Sequence, residues 1–187
     1  KYSDMEKKYQ IIYADPPWRY GGRAPVGTLK REPIESLYGT MSDNALIRMN
    51  VPSIADRDCL LFLWVVSPHL KECISVAEGW GFEYITVAFV WHKKMALLGN
   101  YTMAGTEVCL LFKKGKMPDG KIKGRGNGVK QFWEERPIRA SQKPDEIRDR
   151  IKRLFPKSNR IELFARQKTE GWDVWGNEVE SDISLIK

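Results

Sequence analysis

The sequence Tyr9-Gln10-Ile11-Ile12-Tyr13-Ala14-Asp15-Pro16-Pro17-Trp18 joins a short apolar run directly to a rigid turn. Apart from Gln10, residues 9–14 are apolar or aromatic, which is typical of a strand buried on both faces of a parallel sheet. Open α/β sheets bind their ligands at the carboxyl ends of the strands. The turn formed by residues 15–18 is therefore predicted to lie where such a sheet binds a ligand.

The remaining chain alternates short apolar runs with helical patterns, which predicts an α/β domain with a mostly parallel sheet and helices on both faces. Further strands are predicted at residues 59–66, 84–90, 107–112 and 160–164. One helix is predicted from Pro68, with Ser67 as its cap, to about Gly79. A second begins at Pro144 and stops before Pro156, and a weaker one runs over residues 42–49. We assign all 187 residues to a single domain.

The chain is basic, with 31 Lys and Arg against 24 Asp and Glu and a formal net charge of +7, which favours a polyanionic partner. Two basic segments, residues 19–36 and 113–130, have no regular pattern, and the second holds five glycines and seven Lys or Arg. Both are expected to be loops, the second mobile and solvated. Either they are surface loops without function, or they bind phosphates. In the second case the contacts are expected from Arg19, Lys121, Lys123 and Arg125.

Cysteine usage and hydropathy bear on metals, membranes and localisation. Cys59, Cys73 and Cys109 lie far apart in apolar surroundings, without a Cys-x-x-Cys or Cys/His cluster, so no metal site is predicted and the thiols are expected in the core. The longest apolar run, residues 59–66, is too short to cross a bilayer, and no apolar signal region is present. We therefore expect a cytoplasmic protein without membrane contact.

The Asp-Pro-Pro-Trp turn carries groups that suit an aromatic amine. Such an amine is a poor nucleophile because its lone pair is delocalised into the ring, so a catalyst needs acceptors for the amine hydrogens. The carboxylate of Asp15 can accept one hydrogen and the carbonyl of Pro16 the other, while Pro17 stiffens the turn. Trp18 offers a face on which an extruded base can stack. The alternative is a turn without function, since Asp and Pro are common turn residues.

Seven ordered segments share their pattern with one known family. They are residues 13–18 (YADPPW), 38–42 (YGTMS), 61–65 (LFLWV), 105–110 (GTEVCL), 143–146 (KPDE), 161–166 (IELFAR) and 175–178 (WGNE). Over almost the whole chain they resemble the MT-A70 family of adenine methyltransferases. The resemblance implies a Rossmann-like methyltransferase fold in permuted order, with the catalytic strand first and the cofactor-binding strand last. It also implies S-adenosylmethionine as the cofactor, bound without a metal.

The resemblance also implies roles for individual residues. Catalysis is expected from Asp15, Pro16, Pro17 and Trp18. The cofactor is expected to contact Asp15, Lys143, Phe164, Arg166, Asn177 and Glu178, with Lys143 pairing with its methionine carboxylate. The substrate base is expected to contact Tyr38 and Trp18, and the substrate backbone to contact Arg19 and the basic loop.

Several functions remain in competition. DNA is favoured as the substrate because compact members of the family are commonly bacterial or phage enzymes, but an RNA adenosine methyltransferase uses the same base chemistry. A catalytically silent nucleic-acid-binding subunit is disfavoured because residues 15–18 are intact. A nicotinamide-dependent enzyme is disfavoured because Gly124, Gly126 and Gly128 follow no predicted strand and precede no predicted helix. The sequence leaves open a homodimer or a partner subunit.

Overall fold

A computed structural model describes residues 7–19, 39–99, 101–116, 128–139 and 142–185. Its strands are β1 Tyr9–Ala14, β2 Ala55–Val65, β3 Glu83–Leu98, β4 Met103–Lys114, β5 Phe132–Glu134, β6 Arg160–Leu163 and β7 Asp173–Trp175. Its α-helices are α1 Asp43–Ile47, α2 Val51–Ile54, α3 Leu70–Gly79 and α4 Asp145–Leu154.

The strands form one seven-stranded sheet in the order β5-β3-β4-β2-β1-β6-β7. Strand β1 is parallel to β2 and β6, β6 is parallel to β7, and β3 is parallel to β5. Only β4 runs in the opposite direction among these strands, antiparallel to both β2 and β3. The predicted mostly parallel sheet is confirmed, and β2, α3 and β3 form a βαβ unit whose two strands are separated by β4.

Helices cover both faces of the sheet because successive side chains of a strand point to opposite faces. On β1, Ile12 and Ala14 pack in a core that includes buried residues of α1 and α3, such as Leu46. Ile11 and Tyr13 pack in a second core, which includes Ile147 of α4. The predicted two-sided α/β architecture is therefore confirmed.

Three strands are longer than predicted and two were missed. Strand β2 begins at Ala55 instead of Cys59. Strands β3 and β4 extend to Leu98 and from Met103, so they form a long antiparallel hairpin, and Lys113 and Lys114 belong to β4 rather than to the predicted loop. Backbone pairing sustains these extensions although their side chains are largely exposed. Strands β5 and β7 have three residues each, too few for a sequence pattern.

The observed helix bounds agree with the predicted ones more closely at α1 and α4 than at α3. Ser42 caps α1, with its hydroxyl accepting from the Ala45 N–H at 3.3 Å. Pro144 immediately precedes α4. The prediction that Ser67 caps α3 is wrong, because Ser67–His69 form a 3₁₀ turn without a side-chain cap. The α-helix begins only at Leu70, because the 3₁₀ turn before it has i→i+3 rather than α-helical hydrogen bonds.

Cys59, Cys73 and Cys109 are buried free thiols, as predicted. In the part of the chain that the structure describes, no helix has the length and apolar character needed to cross a membrane.

A buried ion pair attaches α4 to β6. Arg148 donates to Oε1 of Glu162 at 2.9 Å, and both side chains are buried. Oε2 of Glu162 is buried without a hydrogen-bond partner. Burial therefore raises the pKa of Glu162 from its ordinary value of 4.5 to about 7; Arg148 opposes this rise and the negative charge of Asp15 adds to it.

We predict that ionisation of Glu162 destabilises the fold as pH rises. The raised pKa means that the folded state holds this proton more tightly than the unfolded state does. The contribution is therefore fully present below about pH 4.5 and is lost as pH rises to about 7. By linkage the loss is up to about 3 kcal/mol. Denaturant unfolding of wild type and Glu162→Gln between pH 5 and 8 checks this, because their difference isolates the titration.

Relative to Glu162→Gln, the free energy of unfolding of the wild type should fall as pH rises across this range. Glu83→Gln, which removes the same charge from an exposed side chain, is the matched control. A difference that stays constant with pH would contradict the prediction.

Candidate active site

Three neighbouring strands end side by side where the sequence predicts a ligand crevice. In the register of the sheet, Ala14 pairs with Leu163 and Leu163 pairs with Trp175. The residues that follow, Asp15, Phe164 and Gly176, therefore leave the same edge of the sheet next to one another. Residues far apart in the sequence are thus brought together at the carboxyl ends of β1, β6 and β7.

Backbone hydrogen bonds hold the Asp-Pro-Pro-Trp turn. The Pro16 carbonyl accepts from the Trp18 N–H at 2.9 Å, and the Pro17 carbonyl accepts from the Met41 N–H at 2.9 Å. Trp18 and Met41 also form an isolated parallel bridge. The turn is therefore attached to the segment before α1. The carbonyl of Pro16, expected to accept an amine hydrogen, already accepts one bond and has a second lone pair.

Trp18 does not present the open stacking face that the sequence suggests. Its side chain is buried, at 5% exposure. The indole N–H donates to the Trp64 carbonyl at 3.0 Å, and the ring lies nearly parallel to that of His69 at 6.2 Å. A buried indole needs a hydrogen-bond acceptor, and the end of β2 provides it. The ring therefore anchors the Asp-Pro-Pro-Trp turn to β2.

Lys143 is buried between two carboxylates at the end of β1. Its ammonium lies 2.7 Å from Oδ2 of Asp15 and 3.1 Å from Oε2 of Glu107. Glu107 also forms an ion pair with Lys93 through its other oxygen. The side chain of Lys143 is only 8% exposed, whereas that of Asp15 is 27% exposed. Lys143 is therefore not a solvated surface charge, and its ammonium pairs with two protein carboxylates. Its expected contact with the cofactor's carboxylate stays a prediction.

The pKa shifts follow from this alternation of charges. Burial raises the pKa of Asp15 and the charge of Glu107 raises it further, while Lys143 opposes both effects. Burial alone would lower the pKa of Lys143, but Asp15 and Glu107 raise it above its ordinary value. Burial alone would raise the pKa of Glu107, but Lys143 and Lys93 lower it below its ordinary value. Lys143 and Glu107 are therefore both charged at neutral pH.

Glu107 and Lys93 were not identified from the sequence as site residues. Glu107 is a buried carboxylate at the start of an apolar run. That position was a usable signal, because an almost fully buried Glu normally requires a cationic partner. The partner could not be named, because Lys93 and Lys143 approach Glu107 only through the folding of the sheet.

The predicted cofactor residues after β6 and β7 lie together. Arg166 donates to Glu178 at 3.0 Å, and the Phe164 ring packs edge-on against Trp175 at 5.4 Å. Phe164 has a left-handed backbone with φ of 61°, which a non-glycine residue adopts rarely and often at functional sites. A Cβ on Gly176 would lie 2.2 Å from the Ala165 carbonyl oxygen, so this approach of the two loops requires glycine.

The remaining predicted residues are only partly described. Arg19 is exposed and Asn177 is exposed in the turn after β7. Tyr38, Lys121, Lys123 and Arg125 lie outside the described residues. Among the residues that the structure does describe, no group of three or more His, Cys, Asp or Glu side chains could hold a metal ion.

Comparison with known proteins shows which family the chain belongs to. The MT-A70 family model matches residues 9–178. The chain is 44% identical to the type II methyltransferase M.MunI of Mycoplasma sp, over 92% of this chain and 78% of that protein. It is 32% identical to the human N(6)-adenosine-methyltransferase catalytic subunit METTL3, over 92% of this chain but only 28% of that protein. The chain therefore belongs to the MT-A70 family.

Proposed function

We propose that the chain transfers a methyl group from S-adenosylmethionine to the N6 amino group of adenine in DNA. The observation that carries the proposal is the carboxylate of Asp15, held by buried Lys143 at the carboxyl end of β1 and still partly exposed. The name of the human relative specifies the N6 position of adenosine. Membership of the MT-A70 family supports S-adenosylmethionine as the methyl donor.

In the proposed mechanism, the catalytic turn accepts both hydrogens of the amine. Asp15 accepts one, and the Pro16 carbonyl accepts the other through its second lone pair. As the amine attacks, positive charge develops on its nitrogen, and the Asp15 carboxylate stabilises that charge. The nitrogen then loses one of its two hydrogens as a proton to solvent, which leaves the methylated amine neutral. Lys143, which also pairs with Glu107, holds Asp15 in place, so the acceptor is oriented before the substrate arrives. The buried Trp18 keeps the turn attached to β2.

The residues after β6 and β7 fit the proposed cofactor. Arg166, Asn177 and Glu178 offer donors and acceptors suited to ribose hydroxyls and adenine nitrogens, and Phe164 borders them with an aromatic ring. The register of β1, β6 and β7 brings these residues to the same edge of the sheet as Asp15. When bound, S-adenosylmethionine supplies an electrophilic methyl group on its sulfonium. Most of the catalysis then comes from aligning the amine with that methyl group.

We predict that Asp15→Asn slows methyl transfer far more than it weakens cofactor binding. The amide keeps the shape of the turn but cannot stabilise the developing charge as a carboxylate does. Single-turnover methylation of an adenine-containing oligonucleotide should fall by at least about 100-fold. Rapid-quench measurement of methyl transfer at saturating cofactor gives this rate directly.

Asp149→Asn is the matched control, because Asp149 is an exposed aspartate on α4. It should methylate at the wild-type rate. A folded Asp15→Asn variant with a near wild-type single-turnover rate would refute the mechanism.

We predict that Arg166→Ala combined with Asn177→Ala weakens S-adenosylmethionine binding by removing contacts to its ribose and adenine. Each lost hydrogen bond to a charged or polar group costs roughly 1–2 kcal/mol, so affinity should fall by at least about tenfold. Calorimetric titration without added metal provides the measurement. Lys168→Ala, which removes an exposed cation close by in the sequence, is the control. Unchanged affinity in the double variant would place the cofactor elsewhere.

DNA is the proposed substrate and RNA the second candidate. Compact bacterial members of the family commonly act on DNA, and identity to the Mycoplasma methyltransferase is 44%. The RNA alternative is supported by 32% identity to METTL3. The two substrates present the same base and differ in sugar and helix shape.

Methyl uptake by matched DNA and RNA oligonucleotides, each single- and double-stranded, separates the two candidates. We expect incorporation into adenine of DNA, with the label recovered as N6-methyladenine. A control oligonucleotide without adenine should take up no label. Preferential labelling of RNA would replace the DNA proposal with the RNA alternative, and no labelling of any oligonucleotide would contradict both.

A further inference from the structure

Two buried tryptophans lie next to the ion pairs of the candidate active site. Trp64 of β2 and Trp91 of β3 are at most 1% exposed. Their rings pack edge to face, with centroids 6.4 Å apart and planes inclined by 79°. Any large apolar side chain could fill a core position, whereas an aromatic ring also presents a negative face to a cation. We call these two residues the aromatic pair.

The register of the sheet explains why the aromatic pair meets the buried charges. Trp91 pairs with Glu107 across β3 and β4, and Trp64 pairs with Cys109 across β2 and β4. Directly paired residues point to the same face of a sheet, and so do residues two apart on one strand. Because Glu107 and Cys109 are two apart on β4, both tryptophans share a face with Glu107. Lys93, two residues after Trp91, lies on that face as well.

Each ring of the aromatic pair contacts one buried ammonium group. Nζ of Lys143 lies over the ring of Trp64, 5.6 Å from its centroid, and Nζ of Lys93 lies over the ring of Trp91 at 5.3 Å. Both lysine side chains are largely buried. A cation withdrawn from water gains more from a ring face than an exposed cation does, and tryptophan binds cations best among the aromatic side chains. The rings therefore stabilise both ammonium groups where little water reaches them.

Trp64 is also attached to the backbone on both sides of Asp15. Its indole N–H donates to the hydroxyl of Tyr13 at 2.7 Å, and its carbonyl accepts from the indole N–H of Trp18 at 3.0 Å. Its ring contacts Lys143, which pairs with Asp15 at 2.7 Å. The ring is thus fixed relative to residues 13–18 and contacts the cation that holds the Asp15 carboxylate.

We propose that the aromatic pair consists of positioning residues, whose ring faces fix the ammonium groups of Lys143 and Lys93 and thereby orient the carboxylate of Asp15 toward the substrate amine. The inference rests on the proposed function, in which Asp15 accepts an amine hydrogen. Neither ring touches the substrate in this role. A residue that only fills the core acts through its shape, whereas the proposed role depends on the electron density of the ring face.

Fluorination separates these two roles, because it withdraws electrons from the ring face and nearly preserves the shape of the side chain. Tetrafluorotryptophan replaces Trp64 in the full chain by nonsense suppression, and single-turnover methylation of an adenine-containing DNA duplex is measured at saturating cofactor. The rate should fall at least about tenfold, since a desolvated contact between a cation and a ring is worth that factor. The same replacement of Trp91 should slow the reaction less, because Lys93 acts on Asp15 only through Glu107 and Lys143.

The pH profile of the reaction should move only if the ring acts through Lys143. The charged groups around Asp15 are Lys143, Glu107, Arg166 and Glu162. Lys143 opposes the rise that burial causes in the pKa of Asp15. When the fluorinated ring holds Lys143 less firmly, this opposition weakens and the pKa of Asp15 should rise further. The acid limb of the rate profile should therefore shift to higher pH, and ¹³C NMR of the Asp15 carboxyl should show the same shift without substrate.

Replacement of Trp80 by tetrafluorotryptophan is the matched control. Trp80 is also fully buried and donates its indole N–H to the Leu46 carbonyl at 2.7 Å, but it packs in the core on the other face of the sheet. This variant should keep the wild-type rate and pH profile. Fluorination makes an indole N–H a stronger donor, so a lower rate at position 64 does not come from a weakened bond to Tyr13. Duplex affinity, measured by fluorescence anisotropy, should equal that of the wild type in every variant.

A wild-type rate and an unmoved acid limb with tetrafluorotryptophan at position 64 would overturn the proposal. A lower rate without a shift in the Asp15 titration would also overturn it, because the ring would then act through packing alone. An equal loss of rate in the Trp80 variant would do the same. A wild-type chain that methylates no adenine would refute the proposed function, whereas the NMR titration of Asp15 would still decide whether the ring fixes Lys143.

Discussion

The ammonium of Lys143 is buried, and the structure around the candidate site depends on neutralising it. An unpaired charge in the interior is costly, and removing one partner of a buried ion pair is strongly destabilising. Asp15 and Glu107 approach this ammonium from two sides, at 2.7 and 3.1 Å. The ion pairs of Lys143 thus connect the segment before α4 with the end of β1 and with the start of β4.

This cluster of charges can form because β4 is antiparallel to its neighbouring strands. Since β4 runs against the other strands, its amino end lies at the edge where the parallel strands have their carboxyl ends. Lys143, just before α4, can therefore lie between Glu107 and Asp15, the residue that follows β1. The resulting alternation of Asp15, Lys143, Glu107 and Lys93 is balanced in charge. A carboxylate oriented in this way needs little reorganisation when charge develops on a substrate amine.

Local patterns predicted the elements that the sequence marks by an apolar run or by a helical repeat. Strand β1 was predicted with its observed bounds because its apolar run is nearly continuous. The helix after Pro144 was predicted almost to the residue because its apolar side chains recur at the helical period. Strands β5 and β7 were not predicted because three residues are too few to show a periodic pattern. The extension of the β3–β4 hairpin was not predicted because backbone pairing, rather than burial of apolar side chains, stabilises its projecting ends.

The sequence by itself determined the α/β class, the place of the Asp-Pro-Pro-Trp turn after the first strand and the order of the family motifs, because these depend on residues adjacent in the chain. Only the tertiary structure decided that Trp18 is buried against Trp64 rather than open to a base, and that Lys143 faces Asp15 and Glu107. Both outcomes depend on distances between residues about 35 to 130 positions apart, because burial and charge pairing are set by which strands become neighbours in the sheet.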